Sequence, residues 1–349
     1  MTLIEIAGRR IGPGQPCFVI AEAGVNHNGS TALALRLVDA AAEAGADAVK
    51  FQTWITEKLV AADAPLAAYQ RQNIGAAQSQ FEMLKALELS QDAFREIKSY
   101  AERRGILFLS TPDEEDSADF LHALGVPLFK IGSAEIDNLP FIAHVAHLGR
   151  PMILSTGMAW LSEVERAVRT VRDAGHAPLA LLHCVSAYPA SPADCNLRAM
   201  STMAAAFGCP IGFSDHTIGL SVACAAVASG ACIIEKHLTL DTEMAGPDHR
   251  LSLNPEGFRA FVTALREVEA ALGDGRKEPV AAEEATRVAV RKVAVASRPL
   301  DAGETLVAGD FLLRRASGGV PLAASSRLVG RRMKVALAAG SPIAWTDLE

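Results

Sequence analysis

Side chains capable of catalysis recur where short apolar runs of this sequence end. The runs end at or just before Glu22, Lys50, Ser110–Thr111, Lys130, Ser155–Thr156, His183–Cys184, Ser214–His216 and Glu235–His237. Continuous apolar runs are typical of parallel strands that are covered on both faces. Because the carboxyl ends of parallel strands meet at one end of the fold, we expect these polar groups to share a site.

Two of these groups are lysines, Lys50 and Lys130. Burying an unpaired ammonium costs several kcal/mol of folding free energy, and two lysines that face one cavity also repel each other. An anionic ligand such as a phosphate or carboxylate would offset both costs. The alternative is an internal ion pair, with Glu22 or Glu135 as the partner.

Two histidines, His216 and His237, end adjacent predicted strands. Neutral imidazoles on neighbouring strands can share one cation. Glu235 stands two residues before His237 and therefore lies on the same strand face. We expect a metal site here, whereas His183 at another strand end is more typical of a packed structural residue.

Hydroxyl side chains occupy similar positions at Ser133, Ser155 and Ser214. Hydroxyls and loop amides at strand ends can hold phosphate oxygens. The segment Ser155–Gly157 also leads toward a predicted helix, whose amino end favours anions. These serines support the anion-site interpretation of the lysines.

Helical segments rich in alanine and leucine separate the apolar runs, and Ser30, Ser90 and Ser162 are predicted N-caps. Strand–helix alternation predicts a parallel α/β fold. About eight strands suffice to close a (β/α)8 TIM barrel, which needs roughly 250 residues. An open Rossmann sheet is disfavoured because no Gly-x-Gly-x-x-Gly follows the first strand.

The apolar-run pattern ends near residue 275, and the 349-residue chain continues. We predict a TIM-barrel catalytic domain over residues 1–275, a charged linker over 276–287 and a compact β-rich domain over 288–349. A domain as small as the last one is not expected to be the main catalytic body.

Composition argues against several classes of protein. The net charge of −7 argues against general nucleic-acid binding, which needs a basic face. No basic region followed by an apolar run stands near residue 1, and no uninterrupted apolar stretch reaches about 18 residues, so we expect neither a secretory signal nor a membrane span. The six cysteines form no CxxC pair and are expected to be buried, reduced thiols of a cytoplasmic protein.

Taken in order, the motifs resemble those of the sialic acid synthase family. The resemblance rests on Ala21–Gly29, Val49–Thr53, Lys130–Glu135, Leu154–Met158, His183–Cys184, Tyr188–Pro189, Phe213–His216, Ile234–His237 and Gly246–His249. It covers nearly the whole chain, and Gly303–Arg315 resembles the family's antifreeze-like (SAF, β-clip) domain. No motif is decisive alone, but the ordered set is specific.

The resemblance implies a transferase that condenses phosphoenolpyruvate with an N-acetylated amino sugar and water, giving a nine-carbon 2-keto sugar acid and phosphate. It implies catalytic roles for Glu22, Lys50, Lys130 and Glu235. A divalent ion, with Mn²⁺ ahead of Mg²⁺ or Co²⁺, would bind His216 and His237 and polarise the sugar aldehyde. Substrate contacts are implied for Gln52, Thr111, Ser133, Ser155, Ser186, Tyr188, Ser214, Asp248 and Arg315.

The resemblance also implies a domain-swapped homodimer, in which Arg315 would reach the N-acyl group of a sugar in the partner's barrel. Three departures bear on the choice of sugar. Arg315 is followed by Ala316–Gly319 instead of Pro-Gly-Asn-Gly, Ser186 stands where some members have asparagine, and Asp113 follows Pro112 where phenylalanine is frequent. We expect N-acetylneuraminate formation from N-acetylmannosamine, with a legionaminic acid synthase using 2,4-diacetamido-2,4,6-trideoxymannose as the close alternative.

Two further classes remain open. One is a metal-dependent barrel hydrolase or isomerase, against which the absence of an N-terminal His-x-His pair counts. The other is a non-catalytic carbohydrate-binding protein, which would not need the lysines and the histidines together.

Overall fold

The computed structural model describes residues 3–67, 70, 71, 73, 79–175 and 177–349. The chain divides into two compact units, Met1–Gly273 and Asp274–Glu349. Each unit has its own hydrophobic core.

The first unit is built around eight parallel strands in the spatial order β5-β4-β3-β10-β9-β8-β7-β6. Strands β5 and β6 lie alongside each other, so the order runs nearly all the way round a barrel. The strands are β3 (Phe18–Gly24), β4 (Ala48–Thr53), β5 (Leu107–Pro112), β6 (Phe129–Ile131), β7 (Met152–Ser155), β8 (Leu179–Cys184), β9 (Ile211–Asp215) and β10 (Ile233–His237). A hairpin of β1 (Ile4–Ile6) and β2 (Arg9–Ile11) precedes them.

Helices follow the strands along this unit. They are α1 (Thr31–Glu43), α2 (Thr56–Leu59), α3 (Gln80–Leu87), α4 (Gln91–Arg103), α5 (Glu115–Leu124), α6 (Leu139–His147), α7 (Leu161–Asp173), α8 (Arg198–Phe207), α9 (Ser221–Ala228) and α10 (Pro255–Leu272). The alternation confirms the predicted barrel.

The barrel strands are buried on both faces, and the two-residue period of a strand divides their side chains between two cores. Phe18 and Ile20 point into the barrel, where they pack with residues of the neighbouring strands and with Ile6 of the β1–β2 hairpin. Val19 and Ala21 belong to the core between the strands and the helices. The apolar interior therefore fills the amino-terminal part of the barrel and leaves the carboxyl ends for polar side chains.

Two of the three predicted helix caps are confirmed. The hydroxyl of Ser30 accepts a hydrogen bond from the Leu33 amide, and that of Ser90 accepts one from the Ala93 amide. The prediction for Ser162 is wrong, since α7 begins at Leu161, which places Ser162 inside the first turn, and Trp160 is the N-cap.

The second unit contains a short helix, α11 (Glu284–Val290), and the antiparallel pair β11 (Lys292–Ala296) and β12 (Phe311–Arg315). Its core contains Ala294, Leu306, Val320 and Met333. Arg315 is exposed at the end of β12. Among the described residues, no helix is both long and apolar enough to cross a bilayer.

Candidate active site

The carboxyl ends of the barrel strands surround a cavity of about 690 Å³. Its lining includes Glu22, Lys50, Gln52, Thr111, Asp113, Lys130, Ser133, Ser155, Cys184, Ser186, Tyr188, Ser214, His216, Glu235 and His237. All of the predicted site residues except Asp248 and Arg315 are among them. Asp248 lines an adjoining recess of about 110 Å³, whereas Arg315 belongs to the second unit.

A second cavity, of about 930 Å³, contains none of these groups. It lies by the amino ends of β9 and β10, and its described lining carries one charged side chain, Glu269. The side chains that the sequence marked as capable of catalysis are therefore concentrated in the smaller, more polar cavity.

Strand geometry explains how one strand supplies several groups to the site. Glu235 and His237 of β10 both line the cavity, two residues apart. Lys236, between them, does not, and its ammonium lies 2.9 Å from the Asp215 carboxylate. This pair is buried, so its charges are balanced away from the cavity.

The lysines of the cavity are paired with carboxylates. Lys50 Nζ lies 2.8 Å from Glu22 Oε2 and 3.8 Å from Glu235 Oε2, and it donates a hydrogen bond to Thr111 Oγ1 at 2.9 Å. Lys130 Nζ lies 3.4 Å from Glu235 Oε1. The ion-pair alternative is therefore confirmed for Glu22.

Glu135 was the other proposed partner and is not one. Its carboxylate accepts a hydrogen bond from Asn138 Nδ2 at 2.6 Å, and no ion pair joins it to a lysine among the residues described.

The two paired carboxyls differ in how readily they hold a proton. Burial raises the pKa of Glu22, although Lys50 opposes the shift. Burial also acts on Glu235, but the attraction of Lys130 and Lys50 and a hydrogen bond from Ser214 outweigh it and lower its pKa. Environments that push two carboxyl pKa values apart are suited to one proton-transfer group and one permanent anion.

Small polar groups of the cavity crowd around Gly157. The Gly157 amide donates to Ser133 Oγ at 3.0 Å, and Ser133 Oγ lies 3.2 Å from Cys184 Sγ. A Cβ at Gly157 would stand 2.9 Å from both of these side-chain atoms and closer still to Ser186 Oγ. The buried Ser155 Oγ, by contrast, has no hydrogen-bond partner among the described residues, so it is free to bind a ligand.

The tautomer of His216 follows from its neighbours. Its Nδ1 lies 2.7 Å from the Val185 carbonyl, which can only accept, so Nδ1 carries the hydrogen. The Ser214 hydroxyl, 3.4 Å from Nε2, donates instead to Glu235 Oε1 at 2.8 Å. His216 Nε2 is therefore left with an unshared lone pair.

His237 offers a second such nitrogen. Its ring centroid is 5.8 Å from that of His216, and its buried Nδ1 has no hydrogen bond within the described structure. Burial, with the nearby His216, holds the pKa of His237 well below its ordinary value, which favours the neutral ligand form. Two neutral imidazoles with spare lone pairs fit a divalent cation.

These two nitrogens would not complete a coordination sphere by themselves. In the part of the chain that the structure describes, no three His, Cys, Asp or Glu side chains are grouped to hold a metal. A cation here would therefore need water or substrate oxygens as further ligands, as in an open catalytic site.

Next to the imidazoles is a polar face suited to a sugar. Gln52 Nε2 donates to Glu22 Oε1 at 3.0 Å, and the ring centroid of Tyr188 lies 4.3 Å from that of His216. Asp248 Oδ2 lies 4.0 Å from His237 Nδ1, and burial, reinforced by Glu22, raises the Asp248 pKa to about 7.

Comparison with known proteins assigns this arrangement to a family. The NeuB family model matches residues 37–277, and the SAF domain model matches residues 291–349. The chain belongs to the NeuB family. The predicted sialic acid synthase family and its C-terminal SAF domain are thereby confirmed, as is the prediction of a phosphoenolpyruvate-dependent nonulosonic acid synthase.

Among relatives, N,N'-diacetyllegionaminic acid synthase of Legionella pneumophila is 44% identical over 97% of this chain and 96% of its own length. The enzyme of the same name from Campylobacter jejuni is 41% identical over 90% of this chain and 94% of its own. A solved N-acetylneuraminic acid synthetase from Leptospira borgpetersenii superposes with a TM-score of 0.72, at 36% identity, covering 82% of this chain and 95% of that one.

The sequence pattern assigned no catalytic or binding role to Asp113 or Cys184, yet both line the cavity. They lie two positions from Thr111 and Ser186, so the strand period could have indicated such a role for both. His183, predicted to be structural, faces away from the cavity, and its Nε2 lies 2.7 Å from the Cys195 carbonyl.

Proposed function

We propose that this protein condenses phosphoenolpyruvate with 2,4-diacetamido-2,4,6-trideoxymannose and water, giving N,N'-diacetyllegionaminic acid and phosphate. The observation that carries the proposal is the presence in one cavity of two lysines with hydroxyl groups and two imidazoles with unshared lone pairs. An anion and a polarised carbonyl compound can thus be held side by side.

Phosphoenolpyruvate occupies the lysine side of the cavity. Lys50 and Lys130 exchange part of their contact with Glu22 and Glu235 for the phosphate and carboxylate of the substrate. Ser133, Ser155, Ser214, Ser186 and Thr111 supply hydroxyl hydrogen bonds, and the unpartnered Ser155 Oγ loses none in doing so. Bound here, the substrate's C3 faces the imidazole side.

The two carboxyls divide the remaining work. Glu22, whose pKa is raised, accepts the proton of the water that adds at C2 and returns a proton to the alkoxide formed from the aldehyde. Glu235, whose pKa is lowered, stays ionised and stabilises positive character at C2. Phosphate then leaves by cleavage of the C–O bond.

His216 and His237 would hold a divalent cation, which is Mn²⁺ in this proposal. When bound, the cation supplies Lewis-acid polarisation of the sugar aldehyde. The Val185 carbonyl fixes the His216 tautomer that this requires.

The lining of the recess beside the imidazoles indicates which sugar is the acceptor. Besides the polar residues Gln52, Gln70, Tyr188, His237 and Asp248, it is lined by the apolar side chains of Val25, Met83, Leu84, Leu87 and Pro247. An apolar wall suits a methyl group better than a hydroxyl, which would lose hydrogen bonds to water there. The names of the Legionella and Campylobacter relatives point to the same 6-deoxy sugar.

N-acetylneuraminate formation from N-acetylmannosamine is the second candidate. It is favoured by the Leptospira synthetase, which shares the fold at 36% identity. In either case, we propose that the protein is a homodimer in which Arg315 of the second unit contacts the N-acyl group of the sugar, as the family resemblance implies.

Phosphate release tests the proposal. The protein is loaded with Mn²⁺ and given phosphoenolpyruvate with each sugar in turn, and the ratio of the two kcat/KM values assigns the acceptor. Lys130→Met should abolish release, whereas Lys58→Met, at an exposed ion pair, should not. Release that needs no sugar would contradict the condensation.

A further inference from the structure

Asp113 carries the one carboxyl of the cavity that has no hydrogen-bond or ion-pair partner among the residues that the structure describes. Asp113 follows β5 and lines the cavity two residues after Thr111. Among the described residues, Glu22 and Glu235 each contact a lysine, but no hydrogen bond or ion pair reaches the Asp113 side chain. The residue is half-buried, so its carboxyl is held at the cavity wall without a fixed neighbour to satisfy it.

The two lysines that act on Asp113 are already paired with other carboxylates. The groups that act on it are Lys50 and Lys130, which attract its carboxylate, and Glu22 and Glu135, which repel it. Both ammonium groups are already matched by Glu22 and Glu235. An incoming phosphate-bearing anion therefore enters a site whose carboxyls outnumber its ammonium groups, and an ionised Asp113 would repel it.

The neutral form of Asp113 is readily reached. Burial, with the carboxyls of Glu135 and Glu22, raises its pKa to about 7 although Lys50 and Lys130 oppose the shift. An anion close by can only raise this pKa further, since it disfavours the charged carboxylate. A neutral carboxyl also carries an O–H, so it becomes a donor to the anion.

We propose that Asp113 takes up a proton when a phosphate-bearing anion binds in the cavity and, as the neutral acid, donates a hydrogen bond to that anion. The proposal rests on the proposed function, in which the anion is phosphoenolpyruvate. It makes Asp113 a binding residue whose protonation is linked to occupancy of the lysine side. Because the bound anion raises the Asp113 pKa, binding of the anion is coupled to proton uptake. Binding is therefore stronger at low pH and weakens as the pH rises above about 7.

Calorimetric titration with phosphoenolpyruvate at pH 8, in two buffers that differ in ionisation enthalpy, measures the protons taken up on binding. At that pH Asp113 is mostly ionised, so the wild type should take up roughly half to one proton more than Asp113→Asn. The amide still donates a hydrogen bond, so Asp113→Asn should bind at least as tightly at pH 8. Asp137→Asn, an exposed carboxyl nearby in the chain, is the matched control and should behave as the wild type.

Equal proton uptake by the wild type and Asp113→Asn would overturn the proposal, as would a loss of affinity in Asp113→Asn that is the same at pH 6 and pH 8. Asp113→Ser, which donates but does not titrate, repeats the test if the amide variant does not fold.

Orthophosphate as a second titrant separates this proposal from the proposed function. If orthophosphate binds with Asp113-dependent proton uptake but phosphoenolpyruvate does not bind, the proposed function fails and the role of Asp113 stands.

Discussion

Replacing Lys50 by methionine removes the ammonium that two buried carboxylates share. Lys50 Nζ lies 2.8 Å from Glu22 Oε2 and 3.8 Å from Glu235 Oε2. Glu235 keeps Lys130 as a partner, but among the described residues Glu22 keeps the amide of Gln52 alone. The substitution should therefore destabilise the barrel as well as abolish activity.

The magnitude follows from the pair geometry. At an effective dielectric of about 20, a 2.8 Å ion pair is worth roughly 6 kcal/mol before desolvation is subtracted. Removing one partner of a buried pair costs about 3–5 kcal/mol. A unit of this size shifts its midpoint by roughly 2 °C per kcal/mol, so Lys50→Met should lower the thermal midpoint by about 6–10 °C.

The pH dependence has a definite sign. Without Lys50 the Glu22 pKa in the folded protein rises further above its unfolded value. The stability that the neutral carboxyl provides is present below the unfolded pKa and is lost as pH rises through the folded pKa. The deficit of Lys50→Met should therefore be smaller at pH 5 than at pH 8.

Differential scanning calorimetry of three variants tests this reasoning. The double variant Glu22→Gln/Lys50→Met removes the orphaned charge and should recover at least half of the lost midpoint while remaining inactive. Lys58→Met breaks an ion pair whose side chains are about half exposed and should shift the midpoint by 2 °C or less, roughly the value of a surface pair. A Lys50→Met shift no larger than that of Lys58→Met, or a double variant no more stable than the single one, would refute the account of the buried pair.

Three further predictions concern separate parts of the site. Gly157→Ala should raise the KM for phosphoenolpyruvate by about tenfold or more, because the added methyl group displaces ligand-binding hydroxyls. Gly132→Ala is the control: its Cβ would meet nothing nearer than 3.9 Å, so its effect in the same steady-state assay should be much smaller. Asp248→Asn should stabilise the protein at pH 8 by up to about 4 kcal/mol and should not stabilise it at pH 4. The reason is that burial raises the pKa of the wild-type carboxyl to about 7, so the wild-type protein loses stability as the pH rises from about 4 to 7. A difference in thermal midpoint that does not depend on pH would contradict this. His237→Ala should weaken Mn²⁺ binding by about 100-fold or more, measured by electron paramagnetic resonance of free Mn²⁺, and unchanged binding would exclude His237 as a ligand.

The sequence could predict which residues meet in the cavity because strand geometry is nearly invariant. A period of two places Glu235 and His237 together, and the barrel brings their strand beside the one that carries Ser214 and His216. The same rule, applied two residues past Thr111, would have included Asp113.

Features that depend on loops and on packing between helices lay beyond such rules. Lys50 pairs with Glu22 and not with Glu135 because Glu22 and Lys50 are register partners on the neighbouring strands β3 and β4. That register is set by how the strands pack in the sheet, which no local sequence pattern encodes. The N-cap of α7 is Trp160 and not Ser162 because the Glu163 carboxylate accepts from the Trp160 amide, so a residue without a capping side chain takes the N-cap position. The apolar wall of the recess also escaped prediction, because part of it comes from α3, between β4 and β5.

Isotope transfer from phosphoenolpyruvate labelled with ¹⁸O at the bridging oxygen tests the central claim most directly. The Mn²⁺-loaded protein is incubated with the labelled substrate and the preferred sugar, and the phosphate and the sugar acid are analysed by ³¹P NMR and mass spectrometry. Condensation with C–O cleavage predicts that the label appears in phosphate and that the sugar gains the three carbons of pyruvate. Label retained in pyruvate, with the sugar unchanged, would contradict the account and indicate a phosphatase.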